Sequence, residues 1–453
     1  MSDEKPQGYK KRSLEFFDKN DVYAWNEVEI TKHKAVYKGI LLPRNKFAKD
    51  GFVEIKLKNG YNIGIEITDN TKIKVLGKKP PMSVEFQGVK VPKDKNKPNV
   101  TLLGTGGTIA SRLDYVTGGV IPAFRPHELF AAVPELSDIC NLDTEVVFQI
   151  FSEDMNPKHW LKLAEKVAKL SNSGVEGIVI GHGTDTMAYS TAALSFLVQN
   201  LKCPVVFVGS QRSSDRPSSD AALNLINAVS LAANADLAEV VLCMLGTTSH
   251  DYGLFHRGTL VRKMHSSVRH TFRTIGDIPL GKIKNGKITY FKDDMVRKST
   301  LNKKLKTTAY KKIEDKVGLI YIYPGIDTDI VDNYIDKGYK GLVLAGTGLG
   351  HTPHTLFDSF KRGIEEGMTI VMTVQTLWGF TGMNVYETGR EEQQIGIIPG
   401  KNMLPETAYV KLCWVLGNYD DSDKIKEIMQ SNVVGEILEG EPENGFQVFQ
   451  GIE

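Results

Sequence analysis

The chain has 453 residues, which at about 150 residues per domain leaves room for about three domains. Charged residues make up 24% and hydrophobic residues 41%, which excludes a disordered or collagen-like chain. The net charge of +2 hides an asymmetry: residues 1–100 carry 21 Lys and Arg against 13 Asp and Glu, an excess of +8, leaving −6 for the remainder. A basic first hundred residues suits contact with RNA or an acidic partner, and equally a solvated basic module with its linker.

No run of 18 apolar residues occurs, so no membrane helix is expected. The opening MSDEKPQGYKKRSLEFF lacks an apolar stretch of the secretory kind. Cys140, Cys203, Cys243 and Cys413 are widely spaced and form no CxxC pair, so neither a disulfide framework nor a zinc site is expected. A cytoplasmic location fits.

In chain order, residues 28–30, 35–42, 52–57, 61–67 and 73–76 are short runs rich in Val, Ile and aromatics. Asn59-Gly60 between two of them is a hairpin signal. Five such strands predict a small all-β barrel, SH3-like or OB-like, over residues 1–80. Lys78-Lys79-Pro80-Pro81 and the Pro92–Pro98 stretch, with three lysines between its prolines, mark a linker over 81–98. Buried-strand runs at 100–103, 146–150, 177–180, 205–208 and 240–245 then alternate with helical spacing at 160–170 and 187–199. A second set of strand runs follows at 317–322, 341–344 and 369–373, after a Lys- and Thr-dense connector at 296–312. This predicts an α/β fold with mainly parallel sheets, in a larger lobe over 99–305 and a smaller one over 306–453.

In open α/β sheets, ligands bind beyond the carboxyl ends of the strands. The first strand there ends in Gly104-Thr-Gly-Gly-Thr108-Ile-Ala-Ser111, which lacks the third glycine of a dinucleotide fingerprint because Ile109 holds its place. It offers instead a glycine turn with a hydroxyl, Thr108. The third ends in Gly181-His-Gly-Thr184-Asp185-Thr-Met187, where Thr184 and Asp185 could also cap the following helix. Gly209-Ser-Gln-Arg212 and Arg262-Lys263 complete the set. A hydroxyl nucleophile needs a base, and a lysine with its pKa lowered by burial serves as one. Glycine turns supply N–H donors for the charge that develops on an amide oxygen. His351-Thr-Pro-His354 is a poor zinc pair because the proline interrupts a helix, and a satisfied structural role is the expected one for His351.

Thr105-Gly-Gly-Thr108-Ile-Ala and His182-Gly-Thr-Asp185-Thr-Met resemble the two signature stretches of the asparaginase/glutaminase family, and Ser152-Glu-Asp-Met-Asn156 resembles its substrate-binding loop. Gly209-Ser-Gln-Arg with Asn224, Gly379–Arg390 and Gly400–Ala408 match in kind, so the resemblance runs from about Val100 to about Gly417. It implies an asparaginase-like two-lobe architecture. It also implies that Thr108 is the nucleophile, that Thr184, Asp185 and Lys263 move protons, and that Tyr115 on a lid orients or activates Thr108. Ser152 and Glu153, with Asp185, would hold the substrate's α-carboxylate and α-amino groups. Secreted asparaginases tend to carry asparagines where Leu349 and His351 stand, so their substrate preference does not carry over.

The added first hundred residues, the Arg257–Arg269 stretch and Trp378-Gly-Phe-Thr-Gly resemble the archaeal tRNA-dependent amidotransferase branch of that family. That resemblance implies glutamine as substrate, with no cofactor in this chain. It implies ammonia passed to a partner, the E-type subunit of the amidotransferase, which uses ATP and Mg2+ to convert Glu-tRNA(Gln) to Gln-tRNA(Gln). It also implies a homodimer within a heterotetramer. The +8 charge of the first hundred residues is expected to serve docking on the partner or on tRNA. A free cytoplasmic L-asparaginase with an accessory domain is the main alternative. A non-catalytic RNA-binding or regulatory protein is the other.

Overall fold

The structure, a computed structural model, describes residues 5–44, 47–57, 62–78, 93–106, 111–113, 120–122, 133, 135–212, 219–249, 251–302 and 304–446. Thr108, Tyr115 and the Asn59-Gly60 hairpin signal lie outside them.

The first unit is an antiparallel sheet of five strands: β1 (Asn26–Lys32), β2 (Ala35–Leu41), β3 (Phe52–Leu57), β4 (Asn62–Glu66) and β5 (Thr71–Lys78). Their spatial order is β4-β3-β2-β1-β5. Alternation puts Val28 and Ile30, Val53 and Ile55, and Ile73 on the inner face, around one core. A helix that the apolar runs do not reveal, α1 (Lys11–Asn20), precedes them. It buries Phe17, whose ring meets Tyr9 edge-on at 4.8 Å, and Asp21 ends it in the left-handed conformation (φ 52°). Residues 93–98, inside the expected linker, are tied to the next unit. Asn141 donates to the carbonyls of Asp94 and Lys97 at 2.7 and 3.0 Å.

The larger lobe holds an eight-stranded mixed sheet. Asn141–Ile150, Asn99–Gly106, Gly177–Gly181, Val205–Val208 and Val240–Leu245 lie side by side in that order, each parallel to the next. Gly253–Arg257, Gly281–Lys284 and Lys287–Tyr290 extend it antiparallel. The central strands are buried on both faces by Pro157–Ser173, Met187–Leu197 and Ala221–Asn234, so they read as continuous apolar runs. The smaller lobe is a parallel sheet in which Val317–Tyr321, Gly341–Gly346, Thr369–Val374 and Ile398–Pro399 are neighbours in that order. One of its faces, with helix Pro405–Asn418, belongs to the same core as the larger lobe, and the other packs on Asp329–Asp336 and Phe357–Glu365. The helical reading of 187–199 runs two residues too far. Val198–Gln199 turns into a strand that pairs with Thr308–Ala309, which fastens the connector to the larger lobe.

Candidate active site

The carboxyl ends of the central strands gather the predicted residues. Gly106 takes φ +107°, and a Cβ there would lie 2.2 Å from the Ile150 carbonyl oxygen, so the end of this strand demands glycine. Beside it, the Thr105 hydroxyl donates to the Gly181 carbonyl at 2.9 Å, which fixes the two strand ends against each other.

Lys263 comes from a short strand, Val261–Lys263, paired antiparallel with Phe272–Thr274. Its Nζ donates to Thr184 Oγ1 at 2.9 Å and to Asp185 Oδ1 at 2.7 Å. Thr184 is buried, the Lys263 side chain is 13% exposed and the Asp185 side chain 68% exposed, so the group runs from the interior to the surface. The capping alternative does not hold. The N-cap of helix Met187–Leu197 is Thr186, and Thr184 and Asp185 turn to Lys263 instead. The Thr186 hydroxyl donates to the Ser152 carbonyl at 2.7 Å, which ties the 181–186 turn to the short helix Ser152–Asp154. Ser152 is buried, Glu153 is exposed, and Asn156 caps the helix that follows by accepting from the Lys158 N–H at 3.1 Å.

His182 is fully buried, and burial pushes its pKa down to about 4, so the ring is neutral. Its Nδ1 lies 2.6 Å from the Gly183 carbonyl. The 209–212 turn is built by Asp220, whose carboxylate accepts from the N–H groups of Gln211 and Arg212 at 3.0 Å. Asn224 donates to Asp220 at 2.9 Å and to the Gly209 carbonyl at 3.0 Å, and accepts from the Leu245 N–H at 3.0 Å. Asn224 thus locks two strand ends together. Asp220 had no expected role, although an acid at the start of a helix after a strand-end turn is a signal for one.

Ser152, Thr184, Asp185 and Lys263 therefore converge. In the smaller lobe, His351 departs from the satisfied role expected for it. Both ring nitrogens are buried without a hydrogen-bond partner among the described residues, and Nδ1 lies 3.9 Å from Glu392 Oε2. His354 points elsewhere, with Nε2 3.5 Å from Glu391. Among the described residues no helix is long and apolar enough to cross a membrane.

Comparison with known proteins places this geometry in a family. The GatD N-terminal domain matches residues 24–76, the N-terminal asparaginase domain residues 99–296, and the glutaminase/asparaginase C-terminal domain residues 316–429. The D-type subunit of glutamyl-tRNA(Gln) amidotransferase from Pyrococcus furiosus is 49% identical over 443 residues, spanning 96% of this chain and 100% of its own. That of Methanopyrus kandleri is 43% identical over 451 residues, 98% of each chain. Among solved structures, the thermostable L-asparaginase of Thermococcus kodakarensis superposes with a TM-score of 0.66 at 28% identity, covering 75% of this chain and 99% of that one. A probable cytoplasmic L-asparaginase from Campylobacter jejuni gives 0.64 at 29%, covering 74% and 100%. The chain belongs to the GatD family, the D-type subunits of glutamyl-tRNA(Gln) amidotransferase, built on the glutaminase/asparaginase fold.

Proposed function

We propose that this chain is the glutaminase subunit of a tRNA-dependent amidotransferase, hydrolysing glutamine with Thr108 as nucleophile. The observation that carries the reading is the Lys263 Nζ held at 2.9 Å from Thr184 Oγ1 and 2.7 Å from Asp185 Oδ1, on the strand-end turn to which Thr105 is bonded through the Gly181 carbonyl. Thr108 Oγ adds to the side-chain amide carbon while its proton passes toward the basic group. Tyr115 orients the hydroxyl. The tetrahedral intermediate collapses with transfer of a proton to the leaving nitrogen, so ammonia departs and an acyl-enzyme remains. Water, deprotonated through Thr184, Asp185 and Lys263, then adds to the ester and releases glutamate and free Thr108. Ser152 and Glu153 hold the α-carboxylate and α-amino groups, and Asp185 faces the ammonium.

Ammonia in neutral water is mostly ammonium and a poor nucleophile. A docked partner that excludes water keeps it neutral. In this reading the partner is the amidotransferase's E-type subunit. With ATP and Mg2+ it activates Glu-tRNA(Gln), and ammonia converts it to Gln-tRNA(Gln), in the cytoplasm and within a heterotetramer built on a dimer of this chain. The basic segment before residue 99 serves docking. The match of residues 24–76 to the GatD N-terminal domain, and relatives aligned over nearly their whole length, favour this reading over a free L-asparaginase.

Thr108→Val removes the nucleophilic oxygen at nearly constant volume, and Lys263→Met removes the side-chain nitrogen while keeping the stem. Each is expected to lower ammonia release from glutamine by at least about 10³-fold with an unchanged circular dichroism spectrum, because residues that act as one catalytic unit fail together. Turnover within tenfold of the parent in either variant overturns the corresponding role.

A further inference from the structure

Side chains alternate along a strand, so Arg262 points to the opposite face from Lys263. On that face its Nη2 lies 3.2 Å from Glu406 Oε1 and 3.3 Å from the Tyr321 hydroxyl, to which it donates. Both partners belong to the smaller lobe: Glu406 to the first turn of helix Pro405–Asn418, and Tyr321 to the end of strand Val317–Tyr321. The next residue of that helix, Thr407, donates its hydroxyl at 2.8 Å to the Thr259 carbonyl, in the turn just ahead of Lys263's strand. One helical turn therefore grips the segment at two points, three residues apart.

Three further facts make the grip specific. Arg262 stands directly across the hairpin from Arg273, a like-charge pair that opposes the hairpin unless a counter-ion sits on one side. Glu406 is that counter-ion, and its Oε2 is buried without a hydrogen bond among the described residues. The Lys263 strand has only three residues, too short to define its own position by pairing.

We propose that Arg262, held by Glu406 and Tyr321 of the smaller lobe, is the positioning residue that sets Lys263 against Thr184 and Asp185. The inference rests on the catalytic reading of Lys263 given above. It makes the smaller lobe part of the proton-transfer machinery without placing any of its side chains on the substrate.

The test measures ammonia release from glutamine, with kcat and KM separated and kcat followed against pH. Three variants of the full chain are compared: Lys263→Met, Tyr321→Phe, and the charge-free pair Arg262→Met with Glu406→Gln, which leaves no orphaned buried ion. Displacing a catalytic group by about an ångström costs about 100-fold, so kcat of the paired variant is expected to fall about 10- to 100-fold. Its KM should stay within about threefold and its pH profile should shift. Tyr321→Phe removes one hydroxyl from a half-exposed ring, and kcat is expected to fall about two- to tenfold, the effect of one lost hydrogen bond. If the paired variant fails to fold, Tyr321→Phe decides alone. Unchanged kcat and pH profile in the folded variants, with Lys263→Met inactive, would overturn the positioning role while leaving the catalytic lysine in place. Full activity of Lys263→Met would instead overturn the catalytic reading itself.

Discussion

At Glu392, burial and charge are in conflict. The side chain is wholly buried, and burial lifts its pKa from the ordinary 4.5 to about 7, although the Thr352 N–H and hydroxyl both donate to Oε1, at 2.8 and 2.7 Å. The folded protein thus keeps a proton here that the unfolded chain gives up near pH 4.5. Its contribution to stability is complete below that pH and is lost as pH rises toward 7. Gln at this position keeps the Thr352 bonds through its own oxygen and carries no charge. Glu392→Gln is therefore expected to leave the melting temperature nearly unchanged at pH 5 and to raise it at pH 8, by up to about 3 kcal/mol in stability. Thermal unfolding at the two pH values checks this, and an equal or lower melting temperature for the variant at pH 8 would mean that the carboxylate is compensated in the fold. The buried His182 and His256, whose pKa values burial lowers to about 4 and about 3, have the opposite dependence and lose stability as pH falls below about 6.5. They are common to both proteins and drop out of the comparison.

Among the elements, the two turns at 152–154 and 181–186 act as a unit. A Cβ on Gly183 would lie 2.7 Å from Ser152 Cβ and 2.9 Å from Ser152 Oγ, so the two backbones meet here only because one residue has no side chain. Gly183→Ala pushes Ser152 away, and if that turn holds the α-carboxylate, KM for glutamine is expected to rise about tenfold, the effect of one lost charge-assisted hydrogen bond, with kcat less affected. Steady-state kinetics decide it, and an unchanged KM would remove the 152–154 turn from substrate binding. Elements of this kind were readable to different degrees. Strands 177–181, 205–208 and 240–245 are apolar on both faces and stand out in the sequence. The strand that carries Lys263 does not, because Val-Arg-Lys has two charged residues and owes its place to Phe272–Thr274 and to the helix at Pro405. Helix Lys11–Asn20 was equally hidden, since it buries only Ser13 and Phe17 and has no side-chain cap at its start.

For the whole molecule, the proposed catalytic group is a long-range object. Lys263 reaches Thr184 across 79 positions of sequence; the strand-end motifs offered both as candidates, and resemblance to a family joined them in one proton-moving set. The contact of Arg262 with Glu406, which joins the two lobes, is long-range too: Arg262 was read only as the neighbour of Lys263, and Glu406 was given no role. The shared core explains why: helix Pro405–Asn418 packs on Met187–Leu197 and on the smaller sheet together, so the lobes fold against each other. With a GatD N-terminal domain ahead of both asparaginase domains, the proposed glutamine hydrolysis serves a partner. The most direct measurement is ammonia release by the purified chain, from glutamine and from asparagine, each with and without the E-type subunit, ATP and Glu-tRNA(Gln). Turnover of glutamine that rises when partner, ATP and charged tRNA are all present is the expected result. Rapid turnover of asparagine that is indifferent to all three would contradict it.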